Sequence, residues 1–138
     1  QRRERAPGAE RVDPEVAARL TGELEGHVAD VLPSETHMEQ LGAFLDALEV
    51  RLQGAIEGAK VFPFGSAVNG FWTALSDVDV CVKVPRASTR AGQIKVLREI
   101  AAQLSHVEKY QIEPRYGAQV PILHWAPRMP GLHACDIS

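Results

Sequence analysis

Two aspartates one residue apart, Asp77 and Asp79, stand in a β-branched run that ends at Val84, and they constrain this chain more than any other feature. Strand side chains alternate between faces, so a strand over 77–84 places both carboxylates on one face. Carboxylates held together repel one another unless something positive lies between them. Upstream, the apolar stretch from Lys60 to Phe64 runs into Gly65-Ser66, a turn in which glycine lets the backbone approach a ligand and serine offers a hydroxyl. An acid pair beside such a turn predicts a divalent cation carrying a phosphate chain.

The chain has 138 residues, 45% apolar and 24% charged, and reads as one domain over 13–138. Residues 1–12 show no periodicity and are expected to form a flexible arm. Asp13-Pro14 has the form of an N-cap with proline at the first helical position. Val16, Leu20, Leu24, Val28 and Val31 then predict a helix that Pro33 ends. Thr36 and Glu39 have capping-box spacing ahead of an apolar stripe at Met38, Leu41, Leu45, Leu48, Leu52 and Ile56.

Strands are expected at Lys60–Phe64 and Asp77–Val84, with Asn69-Gly70 turning between them and Phe71 and Trp72 closing the core. A helix over Ser88–Leu104 would turn Ala91, Ile94, Leu97, Ala101 and Leu104 inward. Further strands are predicted at His106–Glu113, Gln119–Trp125 and Leu132–Ser138. The sum is a mixed α/β (α+β) domain: a twisted sheet of about five strands with helices mainly on one face.

Net charge is −3, unevenly spread. Residues 13–57 hold ten acids and two bases; residues 83–128 hold eight bases and three acids. The second stretch offers positive charge to a polyanion, or plain solvated charge on a helix and its loops. No apolar run reaches the ~18–20 residues that span a membrane, and the arginines near the start lead into no signal-peptide core. Cys81 and Cys135 form no Cys-x-x-Cys pair; both are expected to be buried thiols in a reducing, intracellular compartment. Drawing His124, His133 and Cys135 with Cys81 into a zinc site follows no zinc spacing. Asp46 and Glu49 read as a solvated acidic pair, and Ser76 as either a turn cap or a ligand.

The wording Gly65-Ser66-x-x-x-Gly70, then Ser76-Asp77-Val78-Asp79, then Asp136-Ile137-Ser138 resembles the DNA polymerase β-like nucleotidyltransferase superfamily. Within it, the closest likeness is to the branch of noncanonical poly(A) polymerases and terminal uridylyltransferases. The resemblance covers residues 61–138 and implies the nucleotidyltransferase fold. It implies Asp77, Asp79 and Asp136 as catalytic ligands of two Mg²⁺ (or Mn²⁺) ions, and Gly65 and Ser66 as the nucleotide-binding turn. The implied reaction is template-independent addition of UMP from UTP to an RNA 3′ end, with ATP and poly(A) as the alternative. A compact small-molecule nucleotidyltransferase and a non-catalytic scaffold domain are the other readings. The 57 positions between Asp79 and Asp136 and the Asp-Ile-Ser ending favour the RNA-tailing branch. By the same resemblance, assembly into an RNA-processing complex and a mitochondrial setting are expected. The opening on Gln1 suggests an excised piece, and a helical nucleobase-binding domain is expected after Ser138.

Overall fold

The computed structural model describes residues 13–70, 72, 73 and 76–138. The expected arm over 1–12 and the core role of Phe71 therefore lie outside the described residues. The chain divides into two compact units between Leu32 and Pro33. The first contains helix α1, Pro14–Val31, with Asp13 as N-cap accepting from the Glu15 N–H at 2.8 Å. Its apolar residues recur at every fourth position, and Gly22 and Gly26 do not interrupt it.

The second unit, Pro33–Ser138, is a five-stranded sheet with helices packed on it. In chain order it comprises α2 (Glu35–Gln53), β1 (Lys60–Phe64), α3 (Ser66–Asn69), β2 (Val78–Lys83), α4 (Arg90–Leu104), β3 (Tyr110–Arg115), β4 (Ile122–Pro127) and β5 (Cys135–Ile137). The strand order is β1-β2-β5-β4-β3, with β2 and β5 parallel and every other pair antiparallel. This is the mixed sheet that the sequence predicts.

Period 2 decides which side of the sheet is dry. Val78, Val80 and Val82 of β2, Leu123 and Trp125 of β4, and Cys135 and Ile137 of β5 are all buried. They join Leu41, Leu48 and Leu52 of α2 and Val96, Leu97, Ile100 and Leu104 of α4 in one core. Each such side chain contributes roughly 1.5–3 kcal/mol when removed from water. Trp125 is held between Tyr110 (centroids 4.0 Å apart) and Phe44 (5.9 Å). The intervening residues, Asp79, Cys81, His124 and Asp136 among them, project to the opposite face.

Several local expectations are corrected. The capping box of α2 uses Ser34 and His37, not Thr36 and Glu39: the Ser34 hydroxyl accepts from the His37 N–H, and His37 Nδ1 accepts from the Ser34 N–H. Pro33 ahead of Ser34 starts the helix two residues early. The inward stripe of α4 is rotated, because Val96 and Ile100 bury more apolar surface than Ala91, which is exposed. Strand β3 starts later than expected and continues through Pro114 and Arg115. A proline is tolerated there because β3 is an edge strand; β1, the other edge, carries Pro63.

Glu49 is not a solvated ornament. Its Oε2 accepts from the Val61 N–H at 2.8 Å, and its Oε1 meets Lys60 Nζ at 3.2 Å and Gln53 Nε2 at 3.1 Å. It ties the last turns of α2 to the start of β1. Arg90 is similarly structural, donating to the carbonyls of Tyr116, Ala118 and Gln119 at 3.1, 2.6 and 2.8 Å. Arg86 pairs with Glu99, and Arg128 Nε donates to the Tyr110 carbonyl. Much of the basic stretch therefore holds its own loops in place.

Candidate active site

Strand register builds the site. Phe64 of β1 lies opposite Asp79 of β2, Asp79 opposite Asp136 of β5, Asp136 opposite His124 of β4, and His124 opposite Glu113 of β3. Residues directly opposite one another share a face, so these five form one rung across the whole sheet, on the side away from the core. Adjacent strands are ~4.8 Å apart, which sets Asp79 and Asp136 side by side despite the 57 positions between them.

The turn after β1 closes over the same spot. Gly65 has φ +62° and ψ −136°, and a Cβ built on it would stand 2.7 Å from Asp79 Oδ2. Only glycine accepts both that backbone conformation and the approach of that carboxylate. Ser66, partly buried, opens α3 directly after it, and Gly70 ends α3 in the left-handed region at φ +84°.

The electrostatics follow from this crowding. Asp79 is pushed above the ordinary carboxylate range, first by burial, then by the charges of Asp136 and Asp77. Burial likewise pushes the Cys135 thiol far up, with the same three carboxylates adding to the shift, so it is an inert packing group. Cys81 differs from expectation: it is exposed, because position 81 falls on the carboxylate face of β2.

Asp77 is also corrected. It stands one residue ahead of β2 and is exposed, so strand alternation is not what aims it. The loop before it is shaped by Ser76, whose hydroxyl accepts from the Thr73 N–H at 3.0 Å. His133 Nδ1 lies 3.1 Å from the Ser76 carbonyl oxygen and its ring packs at 5.2 Å on buried Trp72. Ser76 is thus a turn cap. A cavity of about 550 Å³ opens beside Asp77, lined also by His37, Phe44, Tyr110 and His133.

Among the described residues no three His, Cys, Asp or Glu side chains form a ready-made metal cage. The donor set nonetheless fits a hard divalent ion of the kind that shares its shell with phosphates and water. Such ions take one or two carboxylates from the protein, and Asp79 with Asp136 is a crowded anionic pair of that sort.

Sequence reasoning missed His124, weighed there only as a zinc ligand. Its Nδ1 is hydrogen-bonded to Asp136 Oδ1, and the two side chains retain 14% and 25% of their exposure. The available signal was its polar position between the inward-facing Leu123 and Trp125.

Comparison with known proteins agrees with this fold. A family model described as "Poly(A) RNA polymerase, mitochondrial-like, central palm domain" matches residues 20–138. The zebrafish (Danio rerio) protein named poly(A) RNA polymerase GLD2 is 31% identical over 91 residues, 62% of this chain and 18% of that protein. The polymerase core of TRAMP, an RNA surveillance complex, superposes with a TM-score of 0.77 at 21% identity, over 89% of this chain and 38% of that one. The structure of the GLD-2/RNP-8 complex gives 0.76 at 18% identity, over 88% and 38%. The Cid1 poly(U) polymerase gives 0.66 at 20% identity, over 87% and 35%. These likenesses establish the nucleotidyltransferase fold, and the chain spans well under half the length of each of these proteins.

Proposed function

Because this chain belongs to the family of mitochondrial-like poly(A) RNA polymerases, as their central palm domain, we propose that it carries the catalytic carboxylates of an RNA 3′-terminal nucleotidyltransferase. The observation that carries the reading is the rung that sets Asp79 beside Asp136 under the Gly65 turn.

In this proposal Asp77, Asp79 and Asp136 hold two Mg²⁺ or Mn²⁺ ions. When bound, the ions neutralise the triphosphate and make the attacking 3′-hydroxyl more acidic. The protein's own part is positional. Gly65 keeps the space over Asp79 free of a side chain, so a phosphate can approach the carboxylate edge. Ser66 donates its hydroxyl to a phosphate oxygen. Asp136 Oδ1 is engaged by His124, which leaves Oδ2 as the oxygen that would hold an ion and take the proton of the acceptor. The cavity beside Asp77 has the volume of a small-ligand site and is lined by that carboxylate alone of the three, which suits the end of an RNA or nucleotide chain.

Between the two nucleotides, the family description and the zebrafish relative, both named for poly(A), support ATP. The poly(U) polymerase likeness is one of fold and leaves UTP as the second reading. The relatives solved as complexes support assembly with a partner protein, and the family's name supports a mitochondrial setting. Among the described residues no helix is long and apolar enough to cross a membrane.

The test is incorporation of each nucleoside triphosphate into a short RNA by the full-length protein with Mg²⁺ or Mn²⁺. Asp79→Ala and Asp136→Ala should each lower incorporation by several orders of magnitude while the fold is retained. Turnover by either variant at the unaltered rate refutes the carboxylate assignment. Failure of the unaltered protein with every triphosphate supports a scaffold role instead.

A further inference from the structure

We propose that His124 is the positioning residue of the site: its Nδ1–H holds the Asp136 carboxylate in the one orientation that keeps Oδ2 available beside Asp79. The inference rests on the carboxylate assignment above and goes beyond it, because nothing in that assignment requires a histidine.

Asp136 has a neighbour directly opposite on each side, Asp79 on β2 and His124 on β4. One neighbour repels it and the other binds it. A carboxylate beside a like charge and free to rotate would turn its oxygens away from Asp79, opening the gap a shared cation must fill. The bond from His124 to Oδ1 opposes that rotation. An ionised carboxylate can only accept, so Nδ1 carries the hydrogen in this contact. Both side chains are largely shielded, which strengthens a hydrogen bond and lengthens its hold on geometry.

The support behind His124 is rigid. Its neighbours Leu123 and Trp125 are buried, and Trp125 is locked between Tyr110 and Phe44. The backbone that aims the imidazole is therefore fixed from the core side of the sheet. Outer partners of metal-binding carboxylates change metal affinity or activity by about 10–100-fold when removed.

Two substitutions separate positioning from packing. His124→Phe keeps the bulk of the ring and removes the N–H. His124→Asn places an amide nitrogen close to where Nδ1 stands and restores a donor. In the full-length protein, calorimetry measures binding of Mn²⁺ with non-hydrolysable ATP and UTP analogues, and RNA tailing gives kcat and KM. His124→Phe should weaken Mn²⁺ binding by about 10–100-fold and lower kcat more than the KM for nucleotide rises. His124→Asn should recover most of both losses. Thermal melts establish that each variant is folded; if His124→Phe is not, His124→Leu takes its place with the same expectation. Equal loss in donor and non-donor variants, or loss in neither, overturns the proposal while leaving the carboxylate assignment intact. Failure of the unaltered protein to bind Mn²⁺ with either nucleotide analogue overturns that assignment, and this inference with it.

Discussion

Replacing Gly65 with alanine tests the site's construction at its tightest point. Two separate costs are expected. The backbone at φ +62°, ψ −136° lies in a region almost closed to L-residues, a strain of roughly 1–3 kcal/mol. The new Cβ would also stand 2.7 Å from Asp79 Oδ2, so the carboxylate must leave its rotamer at about 0.5–1.5 kcal/mol. Together they amount to roughly 2–4 kcal/mol, and at the ~4 °C per kcal/mol usual for a domain of this size the melting temperature should fall by about 8–16 °C. A double-mutant cycle separates the two parts. In an Asp79→Ala background there is no carboxylate to displace, so Gly65→Ala should cost about 1 kcal/mol less than in the unaltered chain. Nucleotide incorporation should collapse in Gly65→Ala even well below its melting temperature, because Asp79 has been moved. A variant that melts within about 2 °C of the parent, or a cycle that is additive, would refute the contact between this turn and the carboxylate.

Asp79→Asn should raise the melting temperature of the metal-free protein, since burial and the charges of Asp136 and Asp77 disfavour the ionised form; it should also abolish the stabilisation that Mn²⁺ gives the parent. A lower metal-free melting temperature would contradict the crowding. Ser66→Ala should cut nucleotide use by about 10–150-fold, the equivalent of one hydrogen bond to a charged phosphate at roughly 1.5–3 kcal/mol; steady-state kinetics unchanged in the variant would remove Ser66 from the phosphate turn. Glu49 is held below the ordinary carboxylate range, first by the Val61 N–H and then by Lys60. The folded chain therefore binds fewer protons there than the unfolded one, and the stability it lends is present above the ordinary glutamate value of about 4.3 and lost as pH falls through the folded value. Melting curves across that acid range should show a shallower loss in Glu49→Gln than in the parent.

How much of this was legible in the sequence depended on whether the deciding interaction was local. The Asp77-Val78-Asp79 and Asp136-Ile137-Ser138 words were legible through the family they resemble, and the Gly65-Ser66 turn because its glycine constrains its own backbone. The sheet was legible because period 2 in Val78, Val80 and Val82 names its buried face. The α4 face was misread because Ala91 and Val96 differ in bulk, not in apolar character, and only packing ranks them. Glu49, Arg90 and His124 went unseen as anchors because their partners are 12, 26–29 and 12 positions away. Helix packing brings the first two to their partners and strand register the third, and no single segment encodes either. Asp77 shows the converse: its place in the sequence word is clear, yet the strand begins only after it.

Pro63 and Pro114 have a consequence beyond the fold. They occupy the two edge strands of the described sheet, whose free sides could accept another extended chain. Each proline removes a backbone donor and resists the flat geometry needed to recruit a further strand. A sheet guarded at both margins is a poor template for amyloid-like growth. Such protection matters most where partly unfolded copies of a chain meet at high concentration. Exchanging both prolines for valine should leave the rung of carboxylates in place and make the protein prone to coaggregate.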